Sequence, residues 1–365
     1  MRRRRGVIAS ATTGLVLALG SAVFAADPGT FQAPSGDASV LPEGARLELL
    51  FDDGCMLTEG VAVAPDGMVY FSDITFTRFC KDPSGLYLQA GNIWKHDPNT
   101  GETTVWRSPS GMSNGLKFDA EGNMIAALGA DYGGRMLIKT DMATGRSYIL
   151  TGLFEGRPYN ALNDVSIDEQ GRIYFSDPRY LGHEPIEQPG YAVYRLDPDG
   201  QVHRVITNAG KNNGVLVSPD QTRLYVISND DGWFDFMRLH EGEEAPQPGL
   251  HALQVYDLDA NGTPSNRRVL VNYADTEGGA CAGPDGMVAD VDGNIYMAMR
   301  CEHRPGIGVF TPEGEELAFI PTGDELPTNV GFGRGEHART LYVTSGKSLY
   351  RIEMAKEGYQ LPPKS

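Results

Sequence analysis

The sequence predicts an all-β chain: a six-bladed β-propeller of four-stranded blades, its ring closed by strands from the two chain ends. Three observations carry this. A unit of apolar strand, Asp/Gly turn and apolar strand recurs six times at a spacing of about 50 residues. No run of ten or more residues keeps a convincing helical period. An unpartnered strand precedes the first unit, while the last unit is one strand short.

Taken in order, residues 1–25 read as a signal peptide and stand outside the fold. Arg2 to Arg5 form a cationic start, Gly6 to Phe24 an apolar stretch, and Val23-Phe24-Ala25 a cleavage site with small residues at its −3 and −1 positions. Ser10, Thr12, Thr13 and Ser21 interrupt the stretch, which argues for cleavage over a membrane span. Export to the periplasm or out of the cell is the expectation, by ordinary secretion first and the twin-arginine route second. Residues 26–44 form an N-terminal extension, 45–356 one propeller domain and 357–365 a tail.

The 365-residue chain carries a formal charge of −17, and removing four arginines and no acids with residues 1–25 takes it to −21. So acidic a surface argues against nucleic acid, whose phosphates need basic neutralisation. No basic amphipathic helix suggests a membrane surface, and a small molecule is the expected partner.

The recurring hairpins span residues 59–73, 114–128, 163–177, 213–229, 285–299 and 329–345. Each alternates apolar and polar residues around an Asp- or Gly-bearing turn, the hairpin signature. Second hairpins follow at 92–107, 135–150, 191–206, 251–271 and 306–321, giving four strands per unit. The sixth unit has only the strand 348–354 after its hairpin, and the strand 46–51 from the other end completes it. Closure in this way removes a free sheet edge. A β-sandwich or β-helix competes on strand length alone, but units of this length and strand content exceed a β-helix coil.

Register then singles out one position per unit. Glu59, Asn114, Asn163, Asn213 and Asp285 each lie eight residues before the turn residue of their hairpin, and Asn329 holds the matching place in the sixth. Innermost strands line the axis, so these six side chains should converge at one end of the channel. Capping of strand starts by side-chain to backbone hydrogen bonds explains one such residue but poorly explains six. A ring of carboxylate and amide oxygens suits calcium, with Mg²⁺, Mn²⁺ or Zn²⁺ as other candidates. Zinc prefers His or Cys, and none of the seven histidines falls in the ring. The second strands return to the same face at Ser72-Asp73, Ser176-Asp177 and Ser228-Asn229, where Asp73 and Asp177 are either wall residues of the site or ordinary turn residues.

Cys55 and Cys281 each lie four residues before a ring position, and Cys80 and Cys301 follow the second strand of the same units. Pairing within each blade, Cys55 with Cys80 and Cys281 with Cys301, is therefore favoured over the other two connectivities. Export permits both bonds.

The segments SNGLKFD from Ser113, LNDVSID with IYFSDPRY, NNGVLVSPD, GPDGMVADVDGNIY, LPTNVGFG and LYVTSGKSLYRI resemble the gluconolactonase and senescence marker protein (regucalcin-like) family, in order over nearly all of the mature chain. The resemblance implies a six-bladed propeller that binds one divalent metal at the channel mouth and hydrolyses sugar lactones. It places metal ligands on Glu59, Asn163, Asn213 and Asp285, with Asn114 near metal or substrate and Asp164 following Asn163 as in many relatives. Ala161-Leu162-Asn163-Asp164 and Asn212-Asn213-Gly214 depart from the family's S-P-N-D and R-P-N-G. Loops 78–91 and 231–249 look enlarged, the second with Trp233, Phe234, Phe236 and Met237, so the lactone cleaved need not be gluconolactone.

The expected chemistry is polarisation of the lactone carbonyl by the metal while a carboxylate activates water. Asp285 is the first choice for that base and Asp164 the second, with water activated directly on the metal as the alternative. Asn114, Asp177 and Asn329 are expected to meet the substrate. A calcium-dependent phosphotriesterase or arylesterase, which Phe76 and the aromatic residues of 231–249 would suit, needs the same ring. So does a non-catalytic propeller that binds its ligand there.

Overall fold

The computed structural model describes residues 31–74, 80, 91–180, 182–230, 249–273 and 283–362. Its strands form six four-stranded antiparallel blades around a central channel, as the repeat predicts. Blade I holds Thr58–Val63, Val69–Asp73, Asn92–His96 and Thr103–Arg107, from axis to rim. Blade II holds Ser113–Phe118, Met124–Leu128, Leu137–Thr140 and Ser147–Thr151, and blade III Val165–Ile167, Ile173–Asp177, Ala192–Leu196 and Val202–Ile206. Asn212–Val217, Arg223–Asn229, His251–Leu258 and Pro264–Asn272 make blade IV. Pro284–Ala289, Ile295–Cys301, Arg304–Phe310 and Glu316–Pro321 make blade V. Blade VI is completed from both chain ends: Pro327–Phe332, Thr340–Ser345 and Ser348–Glu353 pair outward onto Glu48–Phe51.

Local chemistry explains the hairpins. Runs such as Val69-Tyr70-Phe71 and Ile173-Tyr174-Phe175 are β-branched and aromatic, which suits a pleated surface. The turns are closed by an aspartate: Asp119, Asp168 and Asp290 each accept two backbone N–H groups of their own turn. Blade IV makes the same turn with Gln221 at φ 62° where most blades use glycine.

Burial follows the blade stacking. Second strands are buried on both faces because each blade lies between two others, whereas rim strands such as Pro264–Asn272 stay largely exposed. The apolar core of the described residues divides into six clusters, one at each blade-to-blade interface. Tyr342 and Leu349 of blade VI pack with Val61, Phe71 and Trp94 of blade I, which seals the ring. No single core has to grow with the chain, so the described residues can share one architecture.

Three features depart from the expected outline. Ser35–Gly36, in the stretch read as a bare extension, adds a fifth strand to the rim of blade V, and Val40, Leu41 and Leu47 enter the core between blades V and VI. A two-residue hairpin, Leu153–Phe154 with Arg157–Pro158, stands between blades II and III. The tail lies across the far end of the channel, with Tyr359 N–H bonded to Ala289 O and the Gln360 amide to the Phe332 carbonyl. Among the described residues no helix is long and apolar enough to cross a membrane.

Cys55 and Cys80 form a disulfide across a sequence separation of 25, and Cys301 is disulfide-bonded too. Cys281 lies outside the described residues. In the chain-entropy account a loop of the first length contributes about 3 kcal/mol.

Candidate active site at the channel mouth

The ring residues are aimed by bulges. In blades II, IV and V the pairing of innermost and second strands slips at Asn114-Gly115, Asn213-Gly214 and Asp285-Gly286, and in blade I it slips just after Glu59, at Gly60-Val61. A bulge inserts an unpaired residue and turns a side chain out of the alternating pattern, here at the axial end of the strand. The glycines are required by close approach: a Cβ on Gly60, itself at φ 29°, would strike the Asn114 carbonyl, and one on Gly286 the Asn329 amide. In blades I, II, IV and V the glycine thus admits the backbone or side chain of the next blade's ring position.

All six ring residues are nearly but not fully buried, with exposures from 4% to 7%. Asn114 and Asn163 line a cavity of about 50 Å³ together with Ile74, Met112, Ala130 and Tyr180. Asn213 and Asp285 are hydrogen-bonded through their side chains, and Arg300 Nη1 donates to Asp285 Oδ2 at 3.1 Å. Glu59 Oε2 accepts its neighbour Gly60 N–H at 3.1 Å, and Asn329 Oδ1 accepts Val330 N–H at 2.9 Å. The structure therefore brings the six positions to one end of the channel.

Their electrostatics ask for a cation. Burial first, and then the charge of Asp285, raise the Glu59 carboxyl well above its usual range. Asp285 is also raised by burial, with Arg300 opposing. Asn213 Oδ1 is buried and has no hydrogen-bond partner, which is costly for an amide oxygen unless something else meets it. A divalent ion between these groups would satisfy all three at once. Among the described residues no three His, Cys, Asp or Glu side chains gather closely enough to hold a metal by themselves, so a cation here would have to draw on amide oxygens as well.

Asp164 lies beside this mouth, and its charge adds to the raised ionisation cost of both Glu59 and Asp285. Its Oδ2 accepts Val215 N–H at 3.1 Å, and the charge it faces is that of Lys117, which lines the channel farther down. Burial raises Asp164 and lowers Lys117, and each opposes the shift of the other.

Asp177, which the sequence leaves as either a wall residue or a turn residue, is bonded to the backbone of the preceding loop. It is fully buried, and its two oxygens accept Asn160 N–H at 3.0 Å and Ala161 N–H at 2.8 Å, which fixes the loop leading to Asn163. Asp73 does the same for the loop leading to Glu59. A strand-end carboxylate alternates between two faces with each residue, and the sequence does not say which face it takes. Arg300 is the site residue that the repeat alignment could have found, one place beyond the hairpin 285–299 and inside the strand Ile295–Cys301, and did not.

Burial lifts Asp177 from 3.8 to about 7, with the two backbone bonds opposing. Its folded pKa is raised, so its stabilising contribution is complete below pH 3.8 and lost as pH rises through about 7. Denaturant midpoints of the wild type and Asp177→Asn should therefore converge between these limits and keep a constant difference above them. A gap that widens with pH would contradict the assignment.

Residues 57–347 match the family described as SMP-30/Gluconolactonase/LRE-like region. The gluconolactonase of Zymomonas mobilis is 28% identical over 308 residues, covering 79% of this chain and 77% of that protein. The pentonolactonase of Haloferax volcanii is 27% identical over 296 residues, covering 80% and 83%. A solved gluconolactonase from Xanthomonas campestris shares the fold at a TM-score of 0.70 and 24% identity, covering 90% of this chain and 96% of that one. Six blades, axial bulges and a match over most of the propeller agree, and the chain belongs to the SMP-30/gluconolactonase/LRE-like family.

Proposed function

We propose that this protein hydrolyses a lactone of a polyhydroxy acid at the channel mouth, with a divalent cation, calcium by its donor set, held by Glu59, Asn163, Asn213 and Asp285. The buried Asn213 oxygen without a partner, set beside two carboxylates that burial disfavours as anions, carries the cation reading. The lactonase activity of relatives matched over most of their length carries the substrate class. When bound, the cation supplies Lewis-acid polarisation of the lactone carbonyl.

The chain's own residues supply position and proton transfer. The cavity beside Asn114 and Asn163 offers amide groups for hydroxyls of the ring and Ile74, Met112 and Ala130 for its carbon face. Asp285 takes a proton from the attacking water, since Asp164 is committed to Val215 N–H and Lys117 below the mouth. Water adds to the carbonyl carbon, the ring C–O bond breaks, and the leaving alkoxide receives the proton that Asp285 held. The net products are a hydroxy-carboxylate and a proton.

The disulfide and the cationic, apolar start of the chain support action in an oxidising compartment outside the cytoplasm. Phe76, Trp233, Phe234, Phe236 and Met237, which kept an arylesterase or phosphotriesterase in view, lie outside the described residues. The deciding assay follows hydrolysis of aldonolactones, an aryl ester and a phosphotriester, with and without chelator. Chelator-sensitive turnover of the lactones, at least 10²-fold above the other two classes, is expected. Preference for the aryl ester or phosphotriester, or full lactone turnover after exhaustive chelation, would refute the proposal.

A further inference from the structure

Blade equivalence identifies a mouth residue outside the ring. In four blades one backbone N–H returns to the carbonyl two residues before the ring position: Ile74 to Leu57, Gly129 to Met112, Asn229 to Lys211 and Arg300 to Gly283. Ile74 and Gly129 line the cavity with Asn114 and Asn163. The shared bond therefore marks a wall position of the mouth, and in blade V that position carries a guanidinium.

Arg300 uses little of its hydrogen-bonding capacity on the protein. Nη1 donates to Asp285 Oδ2 at 3.1 Å, and among the described residues the guanidinium has no other partner. Its side chain is 23% exposed against 7% for Asp285, so it lies on the solvent side of that carboxylate. Glu59 and Asp285 together would balance a divalent ion, and Asp164 faces Lys117. Arg300 would then keep its one bond to Asp285 while its remaining N–H groups stay open at the mouth. A planar fork with open N–H groups next to a desolvated mouth matches a carboxylate better than a neutral hydroxyl.

We propose that Arg300 binds a carboxylate at the channel mouth. The inference rests on the lactonase reading in one respect: lactone opening produces a carboxylate there. The anion has two sources, the hydroxy-acid product or an acid group already on the substrate.

The test uses the full protein in calcium buffer as wild type, Arg300→Met and Arg300→Lys, with bound calcium and melting temperature matched. Gluconate binding is titrated calorimetrically, which needs no turnover. Arg300→Met is expected to weaken it by roughly 10–100-fold, with partial recovery in Arg300→Lys. In parallel, kcat/KM is compared for glucaro-1,4-lactone, which carries a carboxylate, and the neutral glucono-δ-lactone. Any loss through misplacement of Asp285 is common to both and cancels in the ratio. A ratio falling at least tenfold in Arg300→Met assigns the residue to the substrate's acid group. An unchanged ratio with weakened gluconate binding assigns it to the product. If gluconate binding and the ratio are both unchanged, the proposal is wrong. Arg300-dependent gluconate binding in a protein that turns over no lactone would sink the lactonase reading and leave Arg300 as a carboxylate ligand.

Discussion

Asp285→Asn is expected to lower kcat on a cleaved lactone by roughly 10²–10⁴-fold while leaving the fold intact. Two effects combine. The variant cannot take a proton from water, and it removes one of the two carboxylates that the ring offers to a cation. The second effect can be isolated in Glu59→Gln, which weakens the cation site but keeps the base. Raising calcium should therefore restore Glu59→Gln towards wild-type turnover and leave Asp285→Asn impaired at saturation. Without metal the sign reverses at Glu59. Asp285 raises the cost of ionising Glu59, so Glu59→Gln should raise the melting temperature of the chelated protein, whereas Asp285→Asn also gives up the ion pair with Arg300. Steady-state kinetics across a calcium series, with metal content measured on each preparation, checks all of this. Wild-type activity and calcium content in Asp285→Asn would remove that residue from the mechanism.

How much of this was legible in the residues depends on the range of the forces involved. Blade number and the strand completing blade VI follow from period-two alternation and aspartate turns, which are local. The ring followed from register: equal spacing from Glu59, Asn114, Asn163, Asn213 and Asp285 to their turns puts equivalent residues at equivalent depth. What a single repeat cannot show is set between blades. The bulges that aim the ring depend on Gly60 meeting the Asn114 backbone and Gly286 meeting Asn329. Asp285 at a ring position and Asp164 beside one look alike as acids. Their difference arises because the neighbouring blade offers Val215 N–H to Asp164, while Arg300 of its own blade reaches Asp285. The rim strand Ser35–Gly36 is too short to carry a pattern and exists because blade V leaves an edge to cover.

Asp73 carries the largest expected effect on stability, and it touches no substrate. Its carboxylate is fully buried and accepts four N–H groups: Cys55 at 2.6 Å, Met56 at 3.1 Å, Leu57 at 3.2 Å and the Trp94 indole at 3.0 Å. Asp73→Ala leaves these donors in a space closed to water, and a buried donor without a partner costs about 1–3 kcal/mol. Some will relax toward solvent, so we expect a net loss of about 4 kcal/mol in urea unfolding, as for a buried charge network broken on one side. Asp73→Asn keeps one acceptor oxygen but sets its NH₂ against N–H groups, and should lose roughly half as much. Asp66, exposed and accepting only Met68 N–H at 3.1 Å, is the control, with an expected loss of about 0.5 kcal/mol. The loop that Asp73 holds contains Cys55 and runs directly into Glu59. Loosening it should therefore also weaken calcium binding in the folded Asp73→Asn protein, although residue 73 contributes no ligand. A cost below 1 kcal/mol for Asp73→Ala would mean that the loop holds its shape without the carboxylate, and that the disulfide and Trp94 packing position Glu59.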